Sequence, residues 1–209
     1  PAMKGALLEK GMLFSSANSI NWGRLLPQIV YYFYSYFVLH RTGRLGSLGE
    51  SVNIVVPTGN LGNILAAYYA SCMGLPVKKF ICASNRNKVL TDFIRTGVYD
   101  RRRDFYATTS PSMDILISSN LERLLYALSG EDSQALRGWM RDLSEKGVYD
   151  VGTAVKEKVQ ALFYGGCCDD QRTADTIRQA WGQAGYLCDT HTAVALDVYR
   201  QYVAETGDA

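Results

Sequence analysis

The sequence has little net charge, few histidines and no long apolar run, and each shortage argues against a class of protein. Lysines and arginines number 22 against 20 acidic residues, so the net charge of +2 gives no reason to expect a nucleic acid as partner. The longest apolar run, residues 29–39, falls short of the roughly 20 residues that span a membrane. Because this run is rich in tyrosine, whose hydroxyl groups need partners, we expect a buried or interface helix and no membrane partner.

The cysteines and histidines show no spacing that is typical of a metal site. The five cysteines include no C-x-x-C pair, and with only two histidines in the chain we expect no structural zinc. Cys72, Cys82 and Cys188 lie in apolar stretches, which predicts reduced cysteines in the core. Reduced cysteines and the lack of a secretory signal favour a cytoplasmic protein.

Residues 51–65 (SVNIVVPTGNLGNIL) predict a strand, a glycine loop and the start of a helix. The apolar run at 52–56 is typical of a buried strand, Gly59 and Gly62 lie in the loop, and apolar residues resume at Ile64. Such a loop presents unpaired backbone N–H groups and the positive end of a helix dipole, which together favour an anion and most often phosphate. An ordinary strand-to-helix turn with glycines for tightness fits the same pattern, and both interpretations stay open at this point.

The residues of the loop also indicate which class of phosphate-containing ligand it can bind. A nucleoside triphosphate loop has a Lys and a Ser or Thr after its second glycine, where this chain has Asn63 and Ile64. A dinucleotide loop needs three glycines and a later acidic residue, but the loop has two and the next strand, 77–83, ends without an acid. A loop with asparagines and no cation indicates one small phosphate monoester held by neutral donors.

Strands alternate with helices along the whole chain. Strands are predicted at 52–56, 77–83, 105–108, 163–166 and 186–188, and helices at 22–39, 64–73, 88–95, 120–128, 133–146, 153–162, 170–181 and 191–205. This order predicts a layered α/β fold with a mainly parallel twisted sheet flanked by helices. We expect one domain over 1–209, with a helical segment at 1–50 and the phosphate-loop part at 51–209. Ligands of such sheets bind beyond the carboxyl ends of the strands, where the loop lies.

Five motifs, in order, resemble those of threonine synthase. They are residues 15–34 (SSANSINWGRLLPQIVYYFY), 55–65 (VVPTGNLGNIL), 111–115 (PSMDI), 118–125 (SSNLERLL) and 189–194 (DTHTAV). The resemblance implies the large cofactor-phosphate-binding part of a fold type II pyridoxal-phosphate enzyme. It implies the conversion of O-phospho-L-homoserine and water into L-threonine and phosphate.

The resemblance assigns roles to particular residues. The residues implied to hold the phosphate of pyridoxal 5'-phosphate are Thr58, Gly59, Asn60, Leu61, Gly62 and Asn63. Thr192 is the candidate that meets the pyridine nitrogen, with a helix N-cap as the alternative role. His191 beside it is interpreted as a structural hydrogen-bonding residue.

A polar cluster in the first motif is the candidate substrate site. It consists of Asn18, Ser19, Asn21 and Arg24, and an Arg fork suits either the carboxylate or the phosphate of the substrate. The alternative is that Asn18 or Ser19 caps the long helix and that Arg24 pairs on the surface. Asn120 and Arg123 are weaker candidates, and we interpret them as the solvent face of an amphipathic helix.

The departure from the family is as informative as the match. Threonine synthases anchor the cofactor through a Lys in an N-terminal segment, typically in a Phe-Lys-Asp/Glu context, and no Lys here has that setting. The Gly/Ser-rich loop for the substrate carboxylate is missing as well. The chain therefore resembles the C-terminal portion of the enzyme, with no catalytic residue of its own. We expect it to be inactive alone, to bind the cofactor weakly, and to self-associate through an apolar face that the N-terminal part would cover.

Two other functions remain open. The chain could belong to another fold type II lyase or dehydratase, although those are not expected to show the N-S-I-N-x-x-R motif. It could also be a non-catalytic binding module that retains the phosphate loop.

Overall fold

The computed structural model of the protein describes residues 7–12 and 18–208. Within this part, strands and helices alternate as the sequence predicts. The strands are β1 (Val52–Pro57), β2 (Val77–Ser84), β3 (Val98–Asp100), β4 (Val148–Asp150) and β5 (Phe163–Cys167). The helices are α1 (Trp22–Leu25), α2 (Gln28–Arg41), α3 (Gly62–Cys72), α4 (Val89–Thr96), α5 (Leu121–Leu128), α6 (Ser133–Glu145), α7 (Gly152–Leu162), α8 (Asp170–Ala184) and α9 (Thr190–Thr206).

The main sheet is parallel, with the strand order β1-β2-β5. Cys82 of β2 lies opposite Val56 of β1 and Gly165 of β5, so the carboxyl ends of all three strands reach the same edge. A separate antiparallel pair joins β3 to β4. The predicted α/β fold with a mainly parallel sheet flanked by helices is confirmed.

Strand β2 shows why the sheet is covered on both faces. Its side chains alternate between two apolar clusters, since successive residues of a strand point to opposite faces. Phe80 and Cys82 pack in the cluster that includes the side chains of α3, whereas Ile81 and Ala83 pack with Val194 of α9. All are 2% exposed or less, so β2 is buried between α3 and α9. Strand β1, which leads into the glycine loop, pairs with β2 from Val52 to Pro57.

The helix predicted at 22–39 is broken near Pro27. The α1 helix ends before it and α2 begins after it, because proline has no backbone N–H to continue the hydrogen-bond ladder. Asn21 caps α1, with its Oδ1 accepting from Gly23 N at 2.9 Å. The alternative role of Asn18 or Ser19 as the helix cap was therefore wrong. Residues 15–17, which begin the motif at 15–34, lie outside the described residues.

Two predicted strands are absent from the described part of the chain. Residues 105–108 are not in a sheet, because the Asn87 side chain takes the place of a partner strand: its Oδ1 accepts from Tyr106 N at 2.9 Å and its Nδ2 donates to Tyr106 O at 2.8 Å. Residues 186–188 form the short link between Gly185, which ends α8, and the start of α9. In both places most of the apolar side chains are exposed, with Phe105 at 56% and Leu187 at 71%, so their pattern does not reflect a buried strand.

The cysteines differ from their prediction at one position. Cys82 and Cys188 are buried as expected, but Cys72 is exposed at the last turn of α3. Cys72 is exposed although it lies in an apolar stretch of the sequence, because it is the last residue of α3. None of the described helices is both long enough and apolar enough to cross a membrane.

Candidate functional site

The loop at 58–63 leaves the carboxyl end of β1 and leads into α3. Thr58 is buried and ties the loop to the sheet, with its N donating to Ala83 O at 2.8 Å and its Oγ1 donating to Val56 O at 2.7 Å. Leu61 precedes the helix in a left-handed conformation with φ of 59°, which L residues rarely adopt. Its side chain is 2% exposed in the apolar core, so the loop is anchored at both ends.

The backbone amides of this loop are available to a ligand. In the described part of the chain, no acceptor receives a hydrogen bond from the N–H of Asn60, Leu61, Gly62 or Asn63, and no side chain caps α3. The loop lines a cavity of about 240 Å³ together with Ser19, Arg24, Gln28 and Ser112. Unpaired amides at the positive end of a helix dipole favour an anion in this cavity.

The two glycines of the loop permit close approach of other segments. A Cβ on Gly59 would lie 2.6 Å from Ser112 O, and one on Gly62 would lie 2.7 Å from Ser19 Cβ. Neither glycine has a positive φ, so tight packing rather than backbone freedom explains both. The glycines were found from the sequence, but the segments they contact were not.

Two of the four predicted substrate residues line the cavity with the loop. Ser19 and Arg24 do so, and within the described residues Arg24 has no carboxylate in ion-pair distance. Asn18 and Asn21 instead support this wall, since Asn18 Oδ1 accepts from Ser19 Oγ at 3.1 Å and Asn21 caps α1. The site therefore includes a cation after all, supplied by α1 and not by the loop.

Helix α2 fixes the Asn63 side chain. Asn63 Nδ2 donates to Gln28 Oε1 at 2.9 Å, and Asn63 Oδ1 accepts from the Tyr32 hydroxyl at 2.6 Å. Burial raises the pKa of Tyr32, so its hydroxyl remains a donor across the ordinary pH range. One tyrosine of the apolar run, Tyr32, thus contributes to the site, a role that its sequence pattern did not reveal.

The prediction that Asn120 lies on the solvent-exposed face of its helix is wrong. It is fully buried, and its Nδ2 donates to Asn60 O at 2.9 Å and to Ser19 Oγ at 3.2 Å. Arg123 Nη1 donates to Asn120 Oδ1 at 3.0 Å, so this polar pair faces the loop. The helical period counts a polar residue as outward, but Asn120 precedes the first turn of α5, where a side chain can point back into the protein.

Thr192 lies in the first turn of α9 and is not its cap. Asp189 is the cap, and its carboxylate accepts from the backbone N of His191 at 2.9 Å and of Thr192 at 3.2 Å. Thr192 Oγ1 also donates to Asp189, and chiefly this bond lowers the pKa of Asp189 to about 2. Thr192 is absent from the lining of the cavity, whereas His191 Nε2 accepts from Ser112 N at 3.3 Å and so reaches a residue that lines it.

A buried polar network beyond β2 was missed by sequence reasoning. Asp114 Oδ1 accepts from Asn85 Nδ2 at 2.7 Å, from Asn87 Nδ2 at 3.0 Å and from Thr108 Oγ1 at 2.7 Å. Asn85 and Asn87 are 1% and 3% exposed. The network holds the segment that carries Ser112 against the glycine loop, and the only signal for it was a pair of asparagines directly after a buried strand.

In the described structure, the cavity has no lysine in its lining and no metal-binding cluster is found. No lysine is among the described residues that line the cavity. No group of three or more His, Cys, Asp or Glu side chains in 7–12 and 18–208 could hold a metal ion.

The fold is shared with solved threonine synthases, which are fold type II pyridoxal-phosphate enzymes. The pyridoxal-phosphate-bound threonine synthase of Brucella melitensis superposes with a TM-score of 0.84 at 41% identity, covering 90% of this chain and 39% of that one. Yeast threonine synthase superposes with a TM-score of 0.83 at 36% identity, covering 92% and 39%.

Sequence comparison gives the same family name. The chain is 48% identical over 189 residues to human threonine synthase-like 1, covering 90% of this chain and 25% of that protein. No protein-family model matches the chain. The predicted resemblance to threonine synthase is therefore confirmed in sequence and fold, and the chain spans between a quarter and about two-fifths of the length of the curated relatives it matches.

Proposed function

We propose that this chain supplies the cofactor-phosphate wall of a threonine synthase active site. The complete enzyme would convert O-phospho-L-homoserine and water into L-threonine and phosphate with pyridoxal 5'-phosphate as cofactor. The observation that carries the proposal is the set of unpartnered amides at 60–63, at the start of α3 and in a cavity that Arg24 also lines.

The residues of the loop fit the phosphate group of pyridoxal phosphate. A phosphate monoester carries close to two negative charges and three acceptor oxygens, which suit several N–H donors at a helix N-terminus. When bound, the cofactor supplies the electron sink that carbanion chemistry on an amino acid needs.

Thr192 fits the other end of the same cofactor. An unprotonated pyridine nitrogen can only accept, so the Thr192 hydroxyl, which donates to Asp189 in this structure, would donate to that nitrogen instead when the cofactor is bound. A neutral hydroxyl there would withdraw fewer electrons from the ring than a carboxylate partner.

Arg24 and Ser19 are the proposed contacts for the substrate. A guanidinium binds a carboxylate or a phosphate through paired hydrogen bonds, and Arg24 has no competing ion pair in the described structure. Asn18 and Asn21 would position them. The cofactor-anchoring Lys would come from another part of the enzyme, as would the remaining substrate contacts.

Binding measurements on the chain test the cofactor half of the proposal. We expect pyridoxal 5'-phosphate to bind at least tenfold more tightly than pyridoxal, because only the former has the phosphate. We expect Arg24→Ala to weaken the binding of O-phospho-L-homoserine, and Arg141→Ala on the exposed face of α6 to leave it unchanged. Equal affinity for the two cofactor forms would refute the proposal.

A non-catalytic binding role is the second candidate, and the similarity to human threonine synthase-like 1 fits it as well. The phosphate loop serves either role equally well. Turnover of O-phospho-L-homoserine by the complete parent protein distinguishes the two, with L-threonine and phosphate as the measured products. Turnover of serine alone would instead indicate a fold type II dehydratase.

A further inference from the structure

Two carbonyl groups of the phosphate loop are held by one short segment of the chain. Gly59 O accepts from Ser118 Oγ at 3.0 Å. Asn60 O accepts from Asn120 Nδ2 at 2.9 Å and from Asn120 N at 3.2 Å. Both Ser118 and Asn120 are buried, and neither lines the cavity.

The bonds to these carbonyls determine where the next two amides point. A trans peptide is planar, so its N–H points away from its C=O, and the described peptide bonds include no cis bond. With the carbonyls of Gly59 and Asn60 turned toward 118–120, the N–H groups of Asn60 and Leu61 are turned to the opposite side. No described residue accepts from either N–H.

The orientation of the Asn120 side chain is itself fixed. Arg123 Nη1 contacts the Oδ1 of Asn120 at 3.0 Å. Because a guanidinium can only donate, it selects the amide orientation in which Nδ2 faces Asn60 O. The left-handed φ of 59° at Leu61 needs such support, since a turn of the peptide before it would let Leu61 return to an ordinary conformation.

We propose that Ser118 and Asn120 are positioning residues that hold two loop carbonyls so that the N–H groups of Asn60 and Leu61 face the bound phosphate. The inference rests on the proposed function, because the phosphate is that of the cofactor. It explains why a serine and an asparagine with no access to the cavity lie in the motif at 118–125. Neither residue would touch the cofactor.

The test compares the affinity for pyridoxal 5'-phosphate with the affinity for pyridoxal in the complete chain, by calorimetry or fluorescence. The ratio of the two dissociation constants isolates the phosphate contribution, whereas a general loss of structure weakens both ligands alike. We expect Asn120→Ala to reduce this ratio about tenfold and Ser118→Ala about threefold, as for loss of one or two hydrogen bonds. Ser118→Thr, which keeps a hydroxyl, should restore most of the ratio.

Ser119→Ala is the matched control, because the Ser119 hydroxyl is buried and has no hydrogen-bond partner in the described structure. It should leave the ratio unchanged. If the wild-type chain prefers pyridoxal phosphate but Ser118→Ala and Asn120→Ala keep the full ratio, the positioning role is wrong and the proposed function survives. If the wild-type chain shows no preference, the proposed function itself fails.

A second measurement does not depend on affinity. In ¹H–¹⁵N spectra of the wild-type chain titrated with inorganic phosphate, the amides of Asn60 and Leu61 should shift most among the loop amides. Ser118→Thr should keep these shifts and Ser118→Ala should reduce that of Asn60. Unchanged Asn60 and Leu61 amides in a wild-type chain that binds phosphate elsewhere would overturn the inference.

Discussion

Replacing Gly59 by alanine should destabilise the protein, although alanine in place of glycine normally stabilises a protein because it restricts the unfolded chain. The added Cβ would lie 2.6 Å from Ser112 O, well inside van der Waals contact, and the obstacle is backbone rather than a flexible side chain. Overpacking of this kind costs about 1–3 kcal/mol. The alanine also restricts the unfolded chain, which returns about 0.4–1 kcal/mol. The free energy of unfolding should therefore fall by about 1–2 kcal/mol.

Thermal unfolding followed by circular dichroism measures this change. For a chain of this size, about 1–2 kcal/mol corresponds to a fall in Tm of about 2–8 °C. Gly138→Ala in the interior of α6 is the control, because no atom lies within 4 Å of its added Cβ and alanine favours a helix. Its Tm should rise. If Gly59→Ala is as stable as the wild type, the close approach of Ser112 to the loop is wrong.

Three further changes have defined outcomes. Asp114→Ala leaves the buried amides of Asn85 and Asn87 without their shared acceptor and should cost about 2 kcal/mol in urea unfolding. Asp189→Ala should cost about 1 kcal/mol at pH 7 through loss of the helix cap. Since the fold lowers the pKa of Asp189 to about 2, its ionised form stabilises above about pH 4, and the difference from wild type should shrink as pH falls to 2. The α2 face that carries Val30 and Tyr34, 62% and 67% exposed, should cause concentration-dependent association in sedimentation equilibrium, which lysine at both positions should abolish.

The regular elements were the part of the fold that sequence reasoning found most readily. Apolar periods located β1, β2 and the helices because burial of one face leaves a repeating pattern. The glycine loop was also found, since a strand, two glycines and a helix start are local features. The errors at 105–108 and 186–188 have a local cause as well. The apolar residues there lie largely at the surface of loops, as Phe105 and Leu187 do, and the pattern along the chain does not record whether an apolar residue is buried.

The buried polar residues that support the site could not be predicted from local sequence patterns. Asn120 contacts Asn60 across 60 residues of sequence, and Asp114 collects bonds from Asn85 and Asn87 that only the folded chain brings together. Polar residues in these positions look like surface residues in a sequence, because burial of a polar group is stable only when its partners are present. The family motifs marked the segments that contain Asn120 and Asp114, but they did not say which side chain pointed inward.

Ser112 connects the two ends of the proposed cofactor site. Its carbonyl oxygen packs against Gly59 at the phosphate end, and its N–H donates to His191 Nε2 beside Thr192 at the ring end. This hydrogen bond requires an unprotonated Nε2, so the proton of a neutral His191 lies on Nδ1, 3.3 Å from Asp189 Oδ1. Asp189 stays ionised to about pH 2 because Thr192 and the first amides of α9 lower its pKa. One carboxylate therefore orients both the Thr192 hydroxyl and the imidazole that holds Ser112. A change at Asp189 should consequently alter both ends of the site, whereas a change at Asn120 should alter only the phosphate end.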